Sequence, residues 1–257
     1  MAEPLLSVTD VVHAYGGVQA VNGCTFEVPE GVICGLIGPN GAGKTTLVDV
    51  VAGALHLQRG SVRYAGADVG GWPPDRLARA GLIRTFQLSR EFRQLTVLEN
   101  LLVAATGRID ESLVGALFRR RQIAVAERAL VKEARGLLEI FGLDALRNDP
   151  AETLSGGQKR LLELARAVMA HPRLLLLDEP MAGINPALMG LLEAHIRRLN
   201  SEGITFLMVE HNLGVVDRMC EPVVVMAEGK ALAVGSMADH RASDAVVTAY
   251  LGRGRPA

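Results

Sequence analysis

Gly38-Pro39-Asn40-Gly41-Ala42-Gly43-Lys44-Thr45 is the stretch on which the fold turns. It is entered from an apolar, strand-like run, Val32 to Gly38, and left through Thr46 to Leu55, which reads as a short helix. Strand, glycine loop, helix is the order a phosphate-binding loop requires. Residues without Cβ let successive backbone N–H groups converge on phosphate oxygens, with a helix N-terminus behind them. Gly38, Gly41 and Gly43 supply that freedom. Lys44 would reach the β- and γ-phosphates of a nucleotide, and the Thr45 hydroxyl would coordinate Mg2+, which prefers oxygen ligands.

Three further segments carry chemistry. Leu174 to Leu177 form an apolar strand that ends in Asp178-Glu179, placing two carboxylates at the carboxyl edge of a sheet, where ligands of open α/β folds sit. Asp178 is suited to hold Mg2+ through water, and Glu179 to polarise the water that attacks a γ-phosphate. His211 follows the strand Thr205 to Val209 in the same way and could contact that phosphate. His13, His56, His171, His195 and His240 have no such context and read as structural. Leu154-Ser155-Gly156-Gly157-Gln158 precedes the amphipathic run Leu161, Leu162, Leu164, Ala165 and Val168 and has the spacing of a helix capping box. A capped helix alone would have no use for two glycines, which cost backbone entropy; they suit close approach to something anionic.

The rest of the chain alternates around these segments. Residues 5 to 34 read as short strands separated by Tyr15-Gly-Gly17 and Pro29-Glu-Gly31. Residues 90 to 170 read as helical, with Leu130, Ala134, Leu137, Leu138 and Phe141 along one face. From residue 174, strands and helices alternate as in a largely parallel sheet, including a helix from Leu188 to Asn200 with Leu191, Leu192, Ile196 and Leu199 on one side.

Composition narrows the function classes. Apolar residues make up 49% of the 257, and the mean hydropathy is +0.24. No apolar run approaches the roughly 18 residues needed to span a membrane. With 27 basic and 28 acidic side chains, net charge −1, and 4% aromatics, there is neither a field nor a stacking surface for nucleic acid, which is excluded as a partner. Cys24, Cys34 and Cys220 are odd in number and scattered, and the N-terminus lacks a secretory pattern, pointing to a reducing cytoplasm and to cysteines used as small buried apolar residues. Arg119, Arg120 and Arg121 read as a solvated helix face, with contact to anionic lipid heads as the sharper alternative.

The order of elements, from the loop Gly38 to Thr46 through Gln87, Leu154 to Gln158 and Leu174 to Glu179 to His211, resembles the ATP-binding subunit of ABC transporters across essentially the whole chain. The resemblance implies an α/β fold: a P-loop NTPase core with a mostly parallel sheet and an antiparallel β subdomain (1–88 and 171–257), and an inserted helical subdomain (89–170). It implies that Tyr15 stacks on adenine and that Gly38, Pro39, Asn40, Gly41, Ala42, Gly43, Lys44, Thr45 and Thr46 hold the phosphates and Mg2+. Gln87 would sense the metal and communicate with a membrane subunit, for which Phe86, Leu88 and Phe92 are candidate contacts, or else core packing. Ser155, Gly156, Gly157 and Gln158 would press on ATP held by a second ATPase subunit, a paralogue or another copy of this chain.

Finer features, among them Ile83 to Gln87, Leu95 to Ala104, Val209 to Val216 and the ending Val246 to Gly252, look like the branch that energises uptake of branched-chain or other hydrophobic amino acids; related urea, amide and lipopolysaccharide systems look similar. That branch implies separate permease subunits, an indirect link to a solute-binding protein, and a peripheral place on the cytoplasmic face of the plasma membrane. Ala182-Gly-Ile-Asn185 departs from the Ser-Ala-Leu-Asp common in the wider family and leaves inter-site communication open. A chromosome-maintenance ATPase would need a long coiled coil between the motifs, and a small-molecule kinase would have no use for Leu154 to Gln158.

Overall fold

The structure, a computed structural model, describes residues 3–85, 92–105 and 120–251. It divides into two compact units, the first formed by Met1–Arg84, Arg173–Gly183 and Ile196–Ala257, the second by Thr85–Pro172 and Ile184–His195. Among the described residues the first unit carries two sheets. One is antiparallel and contains β1 (Leu6–Tyr15) and β2 (Val18–Val28). The other is built around β3 (Ile33–Ile37). The first sheet is completed by β4 (Arg59–Tyr64) and β5 (Ala67–Asp68), in the order β2-β1-β4-β5. The second adds β6 (Leu82–Arg84), β7 (Leu174–Asp178), β8 (Thr205–Val209), β9 (Val223–Ala227) and β10 (Lys230–Gly235), in the order β10-β9-β3-β8-β7-β6. From β9 to β6 neighbouring strands are parallel, and only β10 runs antiparallel.

Every residue of β3, β7 and β8 is buried, the pattern of parallel strands covered on both faces. Their register aligns Leu36 with Val209 and Val209 with Asp178, so the carboxyl ends of the three strands finish in one row. The loops that follow therefore leave the sheet side by side.

Helix α1 (Lys44–Val51) starts two residues before the Thr46 expected from sequence and stops short of Leu55. Gly43, at φ 96°, turns the chain into it, and Gly53, at φ 70°, donates to the Val50 carbonyl and ends it. A Cβ on Gly43 would lie 2.1 Å from the Ala20 carbonyl oxygen, and one on Gly38 would lie 2.2 Å from that of Met226. These two glycines are thus required where the loop lies against neighbouring backbone. Beneath the loop, Leu36, Leu47, Val48, Leu176, Leu207 and Val224 belong to the core of the unit.

After α2 (Pro74–Arg79), the helical unit contains α3 (Val97–Ala104), α4 (Arg120–Ile140) and α5 (Gly156–Met169). Ala134, Leu138 and Phe141 of the expected α4 seam are buried, with Leu130 and Leu137 half-buried beside them. Helix α6 (Pro186–Ser201) is followed by α7 (Leu213–Met219), α8 (Met237–Ala242) and α9 (Asp244–Leu251). Leu192, Ile196 and Leu199 of α6 are buried at i, i+4 and i+7, but Leu191 is 44% exposed. A residue next to Leu192 is turned about 100° around a helix with 3.6 residues per turn, which puts Leu191 at the edge of that stripe, toward solvent. Among the described residues no helix is long and apolar enough to cross a membrane. The three cysteines are buried and free, and burial pushes the Cys24 and Cys220 thiols up to about 12, leaving them inert. Arg119, and the side chains of Arg120 and Arg121, lie outside the described residues.

Candidate active site

The row of strand ends opens onto a cavity of about 350 Å³ lined by Ala20, Asn40 to Thr46, Glu179 and His211. Ala20 comes from β2, the loop from β3, Glu179 from the end of β7 and His211 from the end of β8. Lys44 is buried, and its ammonium donates to the carbonyl oxygens of Gly38 at 2.8 Å and Pro39 at 3.0 Å. Burial pulls its pKa down, while the negative charges of Glu179 and Asp178 pull the other way. The cation is folded back on its own loop, while Lys44 itself lines the cavity.

Glu179 has φ 49°, in the left-handed region that a residue with a Cβ enters at a cost of about 1–3 kcal/mol. The cost is met by its surroundings: its amide donates to Val209 O at 2.9 Å and its carbonyl accepts from the Ala182 amide at 3.1 Å. This conformation brings the carboxylate to the Nε2 of His211, 2.8 Å away. A carboxylate and an imidazole in contact at the lip of an anion-binding loop can polarise a water and hold the proton it sheds.

Asp178 lies behind them, 3% exposed, and accepts from Arg84 Nη2 at 3.0 Å. The other guanidinium nitrogen of Arg84 pairs with Asp49 of α1, so one cation ties the loop helix to the strand that carries Asp178. Thr45 and Asp178 offer oxygen donors, and among the described residues no group of three or more His, Cys, Asp or Glu could hold a metal by itself. That donor set fits Mg2+, which keeps waters and substrate phosphates in its shell, and fits thiophilic metals poorly.

Tyr15 ends β1 and is 52% exposed, its ring braced edge-on by the His13 ring at 4.9 Å. His13 in turn is held by the His56 carbonyl at 3.1 Å. Of the other histidines, His171 pairs with Glu133, His195 packs on the Phe141 ring at 4.5 Å, and the buried His240 lies 2.8 Å from Val223 O. Gln87, with Phe86 and Leu88, lies outside the described residues. Phe92 is 46% exposed, and the Arg166 guanidinium lies over its ring at 5.0 Å.

Within the helical unit, Ser155 Oγ accepts from the Gln158 amide at 3.3 Å, and Gln158 Oε1 accepts from the Ser155 amide at 2.9 Å, a complete capping box on α5. The Ser155 hydroxyl keeps its own proton free to donate. Gly157 has a packing reason to lack a side chain, because a Cβ there would lie 2.7 Å from Leu188 Cδ2, whereas Gly156 faces open space. Asn185 Oδ1 accepts from the Leu188 amide at 2.9 Å and caps α6, a task at which Asn and Asp are equals.

Sequence reasoning assigned no role to Arg84, Asp49 or Glu210. The last is 3% exposed and accepts from the Met181 amide at 2.9 Å and the His211 amide at 3.2 Å. A carboxylate directly after the apolar run Phe206 to Val209 was the signal available for it.

Residues 21–182 match the family described as ABC transporter. Over 253 residues the chain is 39% identical to the high-affinity branched-chain amino acid transport ATP-binding protein BraF of Pseudomonas aeruginosa, covering 98% of this chain and 99% of that one. It is 37% identical to the corresponding protein LivG of Escherichia coli, with the same coverage. Among solved structures, a nucleotide-free ATP-binding cassette from an ABC transporter superposes with a TM-score of 0.83 at 33% identity, covering 96% of this chain and 98% of that one. An ABC transporter cassette in its ADP conformation gives 0.83 at 32%, covering 98% and 100%.

Proposed function

This chain belongs to the ABC transporter family, and from that premise we propose that it is the ATP-hydrolysing subunit that powers import of branched-chain or other hydrophobic amino acids through separate permease subunits. The observation that carries the chemistry is the 2.8 Å contact between Glu179 and His211 at the lip of the glycine-loop cavity. Backbone amides of Gly38 to Thr46 wrap the ATP phosphates, and Lys44 leaves the Gly38 and Pro39 carbonyls to reach the β- and γ-oxygens. Tyr15 offers its exposed face to adenine. Thr45 and Asp178 would hold Mg2+, which neutralises phosphate charge when bound with the nucleotide. Glu179 orients the attacking water and takes its proton, and His211 fixes the carboxylate and faces the γ-phosphate. Gln87 links the metal to the permease.

Ser155 to Gln158 serve the ATP of the opposite subunit, with the α5 N-terminus and the Ser155 hydroxyl directed at its γ-phosphate. The second ATPase is a paralogue or another copy of this chain, and the pair works on the cytoplasmic face of the plasma membrane, fed by a solute-binding protein. Closure on ATP and release after hydrolysis switch the permeases between two states.

The test is uptake in proteoliposomes containing the permeases and both ATPase subunits. ATP-driven accumulation of leucine is expected, and Glu179→Gln should lower ATP turnover by roughly 100-fold or more while nucleotide binding persists. Hydrolysis without uptake of any branched-chain or hydrophobic amino acid would remove the substrate assignment, and normal turnover in the variant would remove Glu179 from its role.

A further inference from the structure

Glu210 is a carboxylate placed where carboxylates seldom sit, at the end of a wholly buried strand and 3% exposed itself. Its Oε1 accepts from the Met181 amide at 2.9 Å, a residue 29 positions earlier and two after Glu179. Its Oε2 accepts from the His211 amide at 3.2 Å. Its own amide reaches Leu36 O, on the strand that feeds the glycine loop, at 3.4 Å. One side chain thus joins the turn carrying Glu179 to the backbone of His211, and its main chain is tied to the third strand of the site.

We propose that Glu210 is a positioning residue for ATP hydrolysis, stapling the Glu179 turn to His211 so that carboxylate and imidazole meet in one geometry. The proposal rests on the roles given to Glu179 and His211 above. Both partners of the staple are N–H donors, so both oxygens of Glu210 must accept; an amide has one oxygen and would turn its own N–H groups against a donor. Besides the staple, the Glu179 turn is held by bonds to Val209 O and from the Ala182 amide. Burial pushes the Glu210 carboxyl above its usual range, the amides of Met181, Asn212 and His211 oppose that shift, and the nearby charge of Glu179 adds to it.

Glu210→Gln preserves volume and tests this directly. The complete transporter should lose about tenfold or more in turnover, as small misplacements of reacting groups do. The affinity of the chain for a fluorescent ATP analogue, set by the glycine loop, should stay within about twofold. Introduced into Glu179→Gln, the change should alter the residual rate by less than about twofold, because no carboxylate remains to be positioned. Wild-type turnover in Glu210→Gln, an equal fall in both backgrounds, or a parallel loss of nucleotide affinity would each overturn the proposal. Should Glu210→Gln fail to fold, Glu210→Asp takes its place with the same expectations, since it keeps the charge but falls a methylene short; failure of both to fold would make Glu210 a structural residue and overturn the proposal. Normal turnover in Glu179→Gln alone would remove the premise, and is read separately from any effect at Glu210.

Discussion

Arg84 shows how a single side chain can stand between stability and catalysis. It holds two carboxylates, Asp49 and the 3%-exposed Asp178, and among the described residues its own buried Nε has no hydrogen-bond partner. Removing one member of a buried ion pair leaves the other charge uncompensated, at a cost of about 3 kcal/mol or more. Arg84→Met should therefore destabilise the nucleotide-free chain by about 3 kcal/mol in chemical denaturation. Mg-ATP should recover part of this loss, because a metal near Asp178 offers the charge a new partner. Equal stability of variant and wild type, with or without Mg-ATP, would show that Asp178 does not depend on the arginine. This role was not legible in the sequence. The partners of Arg84 lie 35 and 94 positions away and are brought to it only by strand order, whereas Lys44 is flagged by the glycine loop before it, and Glu179 and His211 by the apolar strands before them.

At the level of elements, the parallel strands were legible because apolar runs such as Leu174 to Leu177 admit few other readings. The capped start of α5 was legible because its capping box is local in sequence. The helix after the glycine loop was placed too late, since Lys44 joins it directly behind a left-handed Gly43. Leu191 was assigned to the wrong side of α6 because hydrophobicity alone does not report angle. The glycine pair of α5 separates folding from function. Gly156 meets no atom within 4 Å of a built Cβ and its φ is not positive, so Gly156→Ala should stabilise the isolated chain by about 0.5 kcal/mol. In the complete transporter the same methyl would stand between α5 and the opposite nucleotide and should lower turnover by about tenfold. A variant that is both more stable and fully active would show that nothing approaches Gly156.

At the scale of the whole molecule the segments to which we assign the chemistry divide between two compact units, the glycine loop, Glu179 and His211 in one and Ser155 to Gln158 in the other. Assembly in trans predicts that Ser155→Arg abolishes turnover, by roughly 100-fold or more, yet leaves nucleotide binding to the single chain intact; weakened binding by the single chain would contradict it. The register that aligns Leu36, Val209 and Asp178 has a consequence of another kind. Hydrogen-bonded strands lie about 4.8 Å apart, so β3 and β7 are fixed at roughly twice that interval with β8 between them. The lysine-bearing loop and the Glu179 carboxylate are spaced by the pitch of the sheet itself, a ruler no side-chain substitution can restretch. Variation can reshape what surrounds the phosphates, but the span across which they are gripped and attacked is graduated in strands.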